Sequence, residues 1–492
     1  MDVDKFLLDN KEKYEIINNF QELLKEASRE SYPEIIKYVQ ENSDLFFKDY
    51  ESGNMFLWNI STFCMFNWTN FEILLDVLIH FSPELIKTKN TELDIIDIFN
   101  LMIWTVYYLY SKKVISIESI IKTAEYRNLY YVYFYPEIDQ YDHNYSEKLK
   151  STILSDCYID KDLQGFFKTI LQDPEKHKQN RDISYHPSTL HKIIREDDID
   201  SFQSIISRNN YSFNYRFEYS FYERIYSTNK NFSLIQVAAI YGSIQIFKYL
   251  WMQDDIQIDD FVLFCAISGR NYDIIHICEE KIDSPSKIVY SINSHQNELT
   301  DYFIEKSDEL NKDINDDDDC LYKNLDINSF GIAILYANFH IILSSLHHIV
   351  DLIEKEEGMY LFYSANYDFD LFNLLYSHRN KDVDLCSIFN PYYATWVEKG
   401  MTSAIKKTLL DQSAKNIFTI LITYSIKSNR KITGIILDMF KEYKNSELKD
   451  ALEYCKKYSF QIELIIYSKL SDENLVTKFT DIFDLKMTIL NS

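Results

Sequence analysis

Glycine is scarce. The 492 residues contain 8, and the closest two on the chain stand as far apart as Gly242 and Gly269. A P-loop, a dinucleotide fingerprint, a kinase glycine loop and a nucleophile elbow each need clustered glycines, so none can be written here. The 7 cysteines are odd in number and lack a Cys-x-x-Cys spacing. Most sit in apolar runs such as Phe264-Cys265-Ala266, which reads as buried reduced thiols, neither disulfides nor metal ligands. No His-Glu-x-x-His occurs, and the neighbours His347 and His348 would point about 100° apart on a helix. Positive charge is also short, with 51 Lys and Arg against 76 Asp and Glu, a net charge of -25. That disfavours nucleic acid and anionic membrane as partners. The basic clusters, Lys176-His177-Lys178 with Arg181 and Lys427 with Arg430-Lys431, are short and read as solvated loop charge. The longest near-apolar run, Leu101 to Tyr110, falls short of a membrane span, and Met1 to Lys11 lacks the apolar core of a signal peptide. A cytoplasmic protein without cofactor or metal is the expectation.

What is present is a repeat. A short apolar helix ends in a small or polar pair; a polar residue and two apolar ones then open a second helix. The best copy runs Ile235-Gln236-Val237-Ala238-Ala239-Ile240-Tyr241-Gly242-Ser243-Ile244-Gln245-Ile246-Phe247. Further copies centre on Asp197, Arg270, His295, Ala337 and Tyr367, with fainter echoes at Ser31 to Ile36, Thr69 to Leu74 and Phe460 to Ile465. Each copy has the physics of an αα-hairpin. Ala238 and Ala239 let neighbouring hairpins approach, and Gly242 supplies the left-handed turn that ends a helix. An acidic residue in the next first turn suits the positive helix end. One hairpin cannot bury its apolar face, but a row can.

Gly242-Ser243-Ile244-Gln245-Ile246-Phe247 resembles the middle of an ankyrin repeat, and Ser188-Thr189-Leu190-His191 its opening box without the proline. The whole set is similar to a divergent ankyrin-like family of unknown function expanded in some protists. The resemblance implies an all-α fold, an ankyrin-like helical-hairpin solenoid with degenerate repeats. It also implies that His191 stabilises by hydrogen-bonding backbone across adjacent repeats. Most copies lack the hairpin glycine, and their spacing is irregular, so the β-turn fingers between repeats are open to loss or replacement.

The expected layout is an N-terminal helical region over 1–150, a polar connector over 151–187 and repeats over 188–378 with an acidic insertion at 306–328. C-terminal helical hairpins then fill 379–492. Tyr130 to Tyr135 reads as a buried helix segment, with a strand as the alternative. The insertion's Asp313 to Asp319 run fails the EF-hand test, because loop positions six and twelve hold Asp318 and Asn324.

The leading functional expectation is a monomeric, non-enzymatic protein-binding scaffold whose unknown partner is a protein of basic character. The candidate contact residues flank the hairpin turns: Tyr241, Trp251, Asp254, Asp255, Arg270, Asn271, Gln296, Tyr336, Asn338 and Asp368. The structural set is His191, Ala238, Ala239 and Gly242. Alternatives are an enzyme with an unrecognised site in the N-terminal region and a self-assembling structural protein.

Overall fold

A computed structural model describes residues 2–310, 325 and 327–353 apart from short stretches such as 67–69, 156–158 and 224–230, together with 368–378, 465–467 and 488–490. The chain divides into two compact units, Asp2–Ile349 and Val350–Ser492. The described residues are mostly helical, and none of their helices is long and apolar enough to cross a membrane. Of 379–492, Ile465–Tyr467 and Thr488–Leu490 are described, and they pair as short parallel strands. Those six residues depart from the helical hairpins expected over 379–492; the rest of that region, the basic cluster at Lys427, the turn at Tyr367 and the Asp313 to Asp319 run lie outside the described residues.

Among the described residues, five helical hairpins lie side by side. They are Thr189–Arg195 with Ile199–Asn209, Leu234–Ile240 with Ile244–Trp251, Asp260–Gly269 with Tyr272–Glu279, Ser286–Asn293 with Asn297–Leu310, and Ile327–Leu335 with Phe339–Ile353. First helix packs on first helix along the row, and second on second in the opening three hairpins. Leu234–Ile240 is buried throughout, as a layer of pure packing must be. Helix Asn297–Leu310 runs into the expected acidic insertion, which begins later than the sequence implies.

All five turns share one geometry. Asp197, Gly242, Arg270, His295 and Ala337 adopt positive φ, from 51° to 66°. In four of them two backbone bonds close the helix end: Gly242 N donates to Ala239 O at 3.2 Å and Ser243 N to Ala238 O at 2.8 Å. Asp197 and Asp198, His295 and Gln296, and Ala337 and Asn338 repeat the pair. This is the Schellman closure. The missing glycines were therefore no sign of a different register. At three of the four non-glycine positions the left-handed residue puts its side chain to use. Asp197 accepts from Gln245 N at 3.1 Å and Ile246 N at 3.0 Å in the next hairpin. Arg270 donates to Ser294 O at 3.3 Å, and His295 to Tyr336 O at 2.8 Å. Gly242→Val should cost about 1–3 kcal/mol, because a β-branched residue is strained at φ 66°. Thermal unfolding of that variant at wild-type temperature would contradict the turn geometry.

Among the described residues, one pair of extended segments joins two hairpins. Between the first two hairpins Arg216 and Ser233 form an isolated antiparallel bridge, and Phe217 N donates to Phe232 O at 2.8 Å.

The N-terminal region is hairpin-like too. Lys11–Lys25 and Tyr32–Glu41 pack on Tyr50–Phe66 and Phe71–Lys87, first on first and second on second. Lys113, at φ 63°, closes the end of Ile103–Ser111 with the same bond pair. The Tyr130 to Tyr135 run is helical, spanning the end of Asn128–Tyr133 and the start of Tyr135–Tyr141. The segment expected to be a polar connector instead carries Lys161–Gln172 and Pro174–Ile183. Within it His177 and Arg181 are buried, correcting their reading as solvated charge. Four residues apart, they share a helix face. Both donate to Tyr133 O at 2.9 Å, and so satisfy a carbonyl at a buried helix end.

Candidate functional site

The residues flanking the turns hold hairpins to one another. Ser243 Oγ donates to Ile194 O at 2.6 Å in the preceding hairpin, Asn271 Nδ2 to Gly242 O at 3.0 Å and Asn338 Nδ2 to Ile292 O at 3.0 Å. Gln296 Nε2 donates to Ile267 O in the same sense. Buried carbonyls at first-helix ends thus find donors one hairpin along. Gln296 and Asn338, expected at a partner surface, are buried, which corrects that expectation: they are rungs between repeats. Asn271 also caps its own helix by accepting from Ile274 N at 3.3 Å.

The chain's own N-terminal helices cover the turns of the third to fifth hairpins. Arg270 Nη1 donates to Lys25 O at 3.1 Å, so this guanidinium, expected at a contact surface, caps two helix ends instead. Burial pushes its pKa down. Gln21 Nε2 donates to Ala337 O at 2.6 Å and Trp58 Nε1 to Leu335 O at 3.1 Å. Tyr336 packs edge-on against Phe66 with centroids 5.2 Å apart, and Phe63 lies 4.4 Å from the His295 ring.

His295 and His177 are neutral bases of the interior. Burial pushes both down to about 3, helped by Arg270 and Lys25 near His295 and by Arg181 near His177. Tyr133 O accepts from His177 Nε2, so Nδ1, at 2.9 Å from the Tyr222 hydroxyl, is the acceptor. Because the folded pKa lies below the unfolded value near 6.5, the unfolded chain binds the extra proton. Stability is then full above about pH 6.5 and falls as pH drops towards 3, by up to about 1.4 kcal/mol per unit and histidine. Urea unfolding at pH 7 and pH 5 should show this loss, and His177→Gln should reduce it. An identical pH dependence in that variant would refute the assignment.

The remaining expected residues scatter. Tyr241 ends helix Leu234–Ile240 and donates to Glu223 Oε1 at 3.1 Å; burial and then Glu223 raise its pKa. His191 Nε2 lies 3.3 Å from Glu223 Oε2, a side-chain carboxylate, where the resemblance implied backbone. Burial keeps this imidazole neutral. Ala238 and Ala239 are fully buried in the packed first-helix layer. Trp251 is half-buried with Lys281 Nζ 5.9 Å from its ring centroid, while Asp254 and Asp255 are exposed. Asp368, in the other unit, is buried and caps Phe369–His378 by accepting from Leu371 N at 3.1 Å. Asp139, His143 and Glu147 bring three ligand atoms within 4.8 Å of one another. Asp139 and His143 already pair at 2.9 Å, and Glu147 pairs with Lys150 at 2.8 Å.

A line of aromatic rings that sequence reasoning missed runs across the first helices. Phe232 lies 5.7 Å from Phe261, Phe261 stacks 5.5 Å from Phe264, and Phe264 meets Tyr290 at 5.2 Å. Phe261, Phe264 and Tyr290 are half-buried. Tyr290 donates to Asp260 Oδ2 at 2.5 Å, and burial followed by Asp260 pushes its pKa up to about 12. The other Asp260 oxygen is buried and has no donor among the described residues. The signal was available: Asp260–Gly269 has no polar face, and an apolar helix in a two-layer row must turn some apolar groups outward.

The model of a domain of unknown function, DUF3447, matches residues 253–332, which takes in the third and fourth hairpins and the opening of the fifth. No curated protein and no solved structure matches the chain.

Proposed function

We propose that this protein is a non-enzymatic protein-binding scaffold, an ankyrin-type solenoid of degenerate repeats that receives its partner on the first-helix face. The observation that carries the reading is the half-buried line of Phe261, Phe264 and Tyr290 beside Asp260. Rigid aromatic groups give a large contact area at small entropic cost, and they are enriched in binding hot spots. A net charge of -25 favours encounter with a basic partner.

The test is affinity capture from the native cell with wild type and with Phe261→Ser/Phe264→Ser. Both side chains are half-buried, so the variant should stay folded by circular dichroism. One or more proteins held by wild type should be absent from the variant's capture. An unchanged set of captured proteins overturns the reading.

A further inference from the structure

The opposite side of the row carries a second, chemically different surface. Between the second helices of the third and fourth hairpins, Tyr272–Glu279 and Asn297–Leu310, runs a groove of about 400 Å³. Its floor is apolar, formed by Ile275 and Leu299. Tyr272 stands 61% exposed on one wall and Tyr302 41% exposed on the other, both among the large hydrophobic side chains that packing leaves in solvent. Glu279, its side chain 7% exposed, and Glu298 add a carboxylate to each wall, and His276 adds an exposed imidazole.

This chain already demonstrates what the groove attracts. Lys306 Nζ sits 3.2 Å from Glu279, 3.2 Å from the Tyr302 hydroxyl and 5.3 Å from that ring's centroid. Lys25 Nζ lies 2.9 Å from Glu298, whose side chain stays 69% exposed and able to accept a further donor. Asp273, Glu280 and Glu305, on or beside the same two helices, are exposed, and Glu280 lies 3.6 Å from the imidazole of His276. Such walls repel phosphate, and their carboxylates disfavour a wholly apolar occupant. The volume is at the small end of the roughly 300–1,000 Å³ typical of ligand sites, which suits one or two side chains.

We propose that this groove binds a basic peptide segment of a partner protein, taking an arginine between Tyr272 and Tyr302 and an adjoining aliphatic side chain on Ile275 and Leu299. A guanidinium stacks on tyrosine faces while donating in-plane hydrogen bonds to carboxylate, and both kinds of group line this groove. The surface is separate from the aromatic line on the first helices, so either can fail without the other.

The experiment titrates the full-length protein into a fluorescein-labelled nonapeptide of alternating arginine and leucine, followed by fluorescence anisotropy at about 0.15 M salt. Saturable binding is expected, weakened at least about tenfold by Tyr272→Ser/Tyr302→Ser and unaltered by Phe261→Ser/Phe264→Ser. The tyrosine substitutions change no charge and remove exposed rings, so thermal unfolding should match wild type. A peptide with glutamate in place of arginine should not bind. Absence of saturable binding overturns the proposal. So does equal affinity in the tyrosine variant, which would mean diffuse attraction to an acidic chain. Loss of binding in the phenylalanine variant instead would move the peptide to the first-helix face.

Discussion

Arg181→Met is expected to lower the stability of the fold by about 3–5 kcal/mol. Arg181 is fully buried, and its guanidinium meets Glu137 through two bonds of 2.9 and 2.7 Å. It also donates to Tyr133 O at 2.9 Å and lies 4.2 Å from the Tyr107 ring centroid. Burial opposes the charge, but the bonds to Glu137 and its negative charge outweigh it, so the pKa of Arg181 rises. Methionine preserves the apolar stem and removes every donor. Glu137, 16% exposed, is left as an uncompensated carboxylate. Arg181→Met/Glu137→Gln should recover part of the loss, because the largest cost in the single variant is the orphaned charge. Chemical denaturation of the two single variants and the double variant reads this directly. Additive losses would show that the pair is not coupled.

Gly269→Ala should cost on the order of 3 kcal/mol, although alanine favours helix and Gly269 ends one. A Cβ there would press into the carbonyl oxygen of Ala239 and stand 2.7 Å from that of Ile240. Both are backbone atoms of the neighbouring hairpin, so no rotamer change relieves the clash, and the two first helices must part. A gap of 0.5–1 Å forfeits roughly a quarter to a half of each dispersion contact across that layer. Gly165→Ala supplies the contrast. Gly165 lies within Lys161–Gln172 with nothing within 4 Å of the added carbon. Alanine there should stabilise by about 0.5–1 kcal/mol. Thermal unfolding that moved the same way in both variants would mean the second and third hairpins do not meet at Gly269.

The hairpins were readable because their code is local. Periodicity, the small pair Ala238-Ala239 and the polar residue after each turn lie within one stretch of sequence, and even the non-glycine turns at Asp197, Arg270, His295 and Ala337 fell where the pattern placed them. The fate of the turn-flanking residues was not readable. A polar side chain beside a turn looks exposed until its acceptor is known. For Gln296 and Asn338 that acceptor is a carbonyl one hairpin back, and for Arg270 it lies in an N-terminal helix. His177 and Arg181 misled for the same reason, since two lysines beside them made the cluster look solvated. Their spacing on one helix face was the clue that charge counting hides. The aromatic line has no turn signature, because the open face of an apolar helix carries it.

The covering of the turns by N-terminal helices has a consequence for how this molecule opens. A bare row of hairpins is a one-dimensional chain, whose units fray from the ends and melt in steps. Here Lys25 reaches the third and fourth hairpins across the sequence, and Trp58 and Gln21 reach the fifth. Those three hairpins are thereby cross-braced by contacts that skip neighbours. Their amides should exchange with solvent as one cooperative block rather than in order along the row.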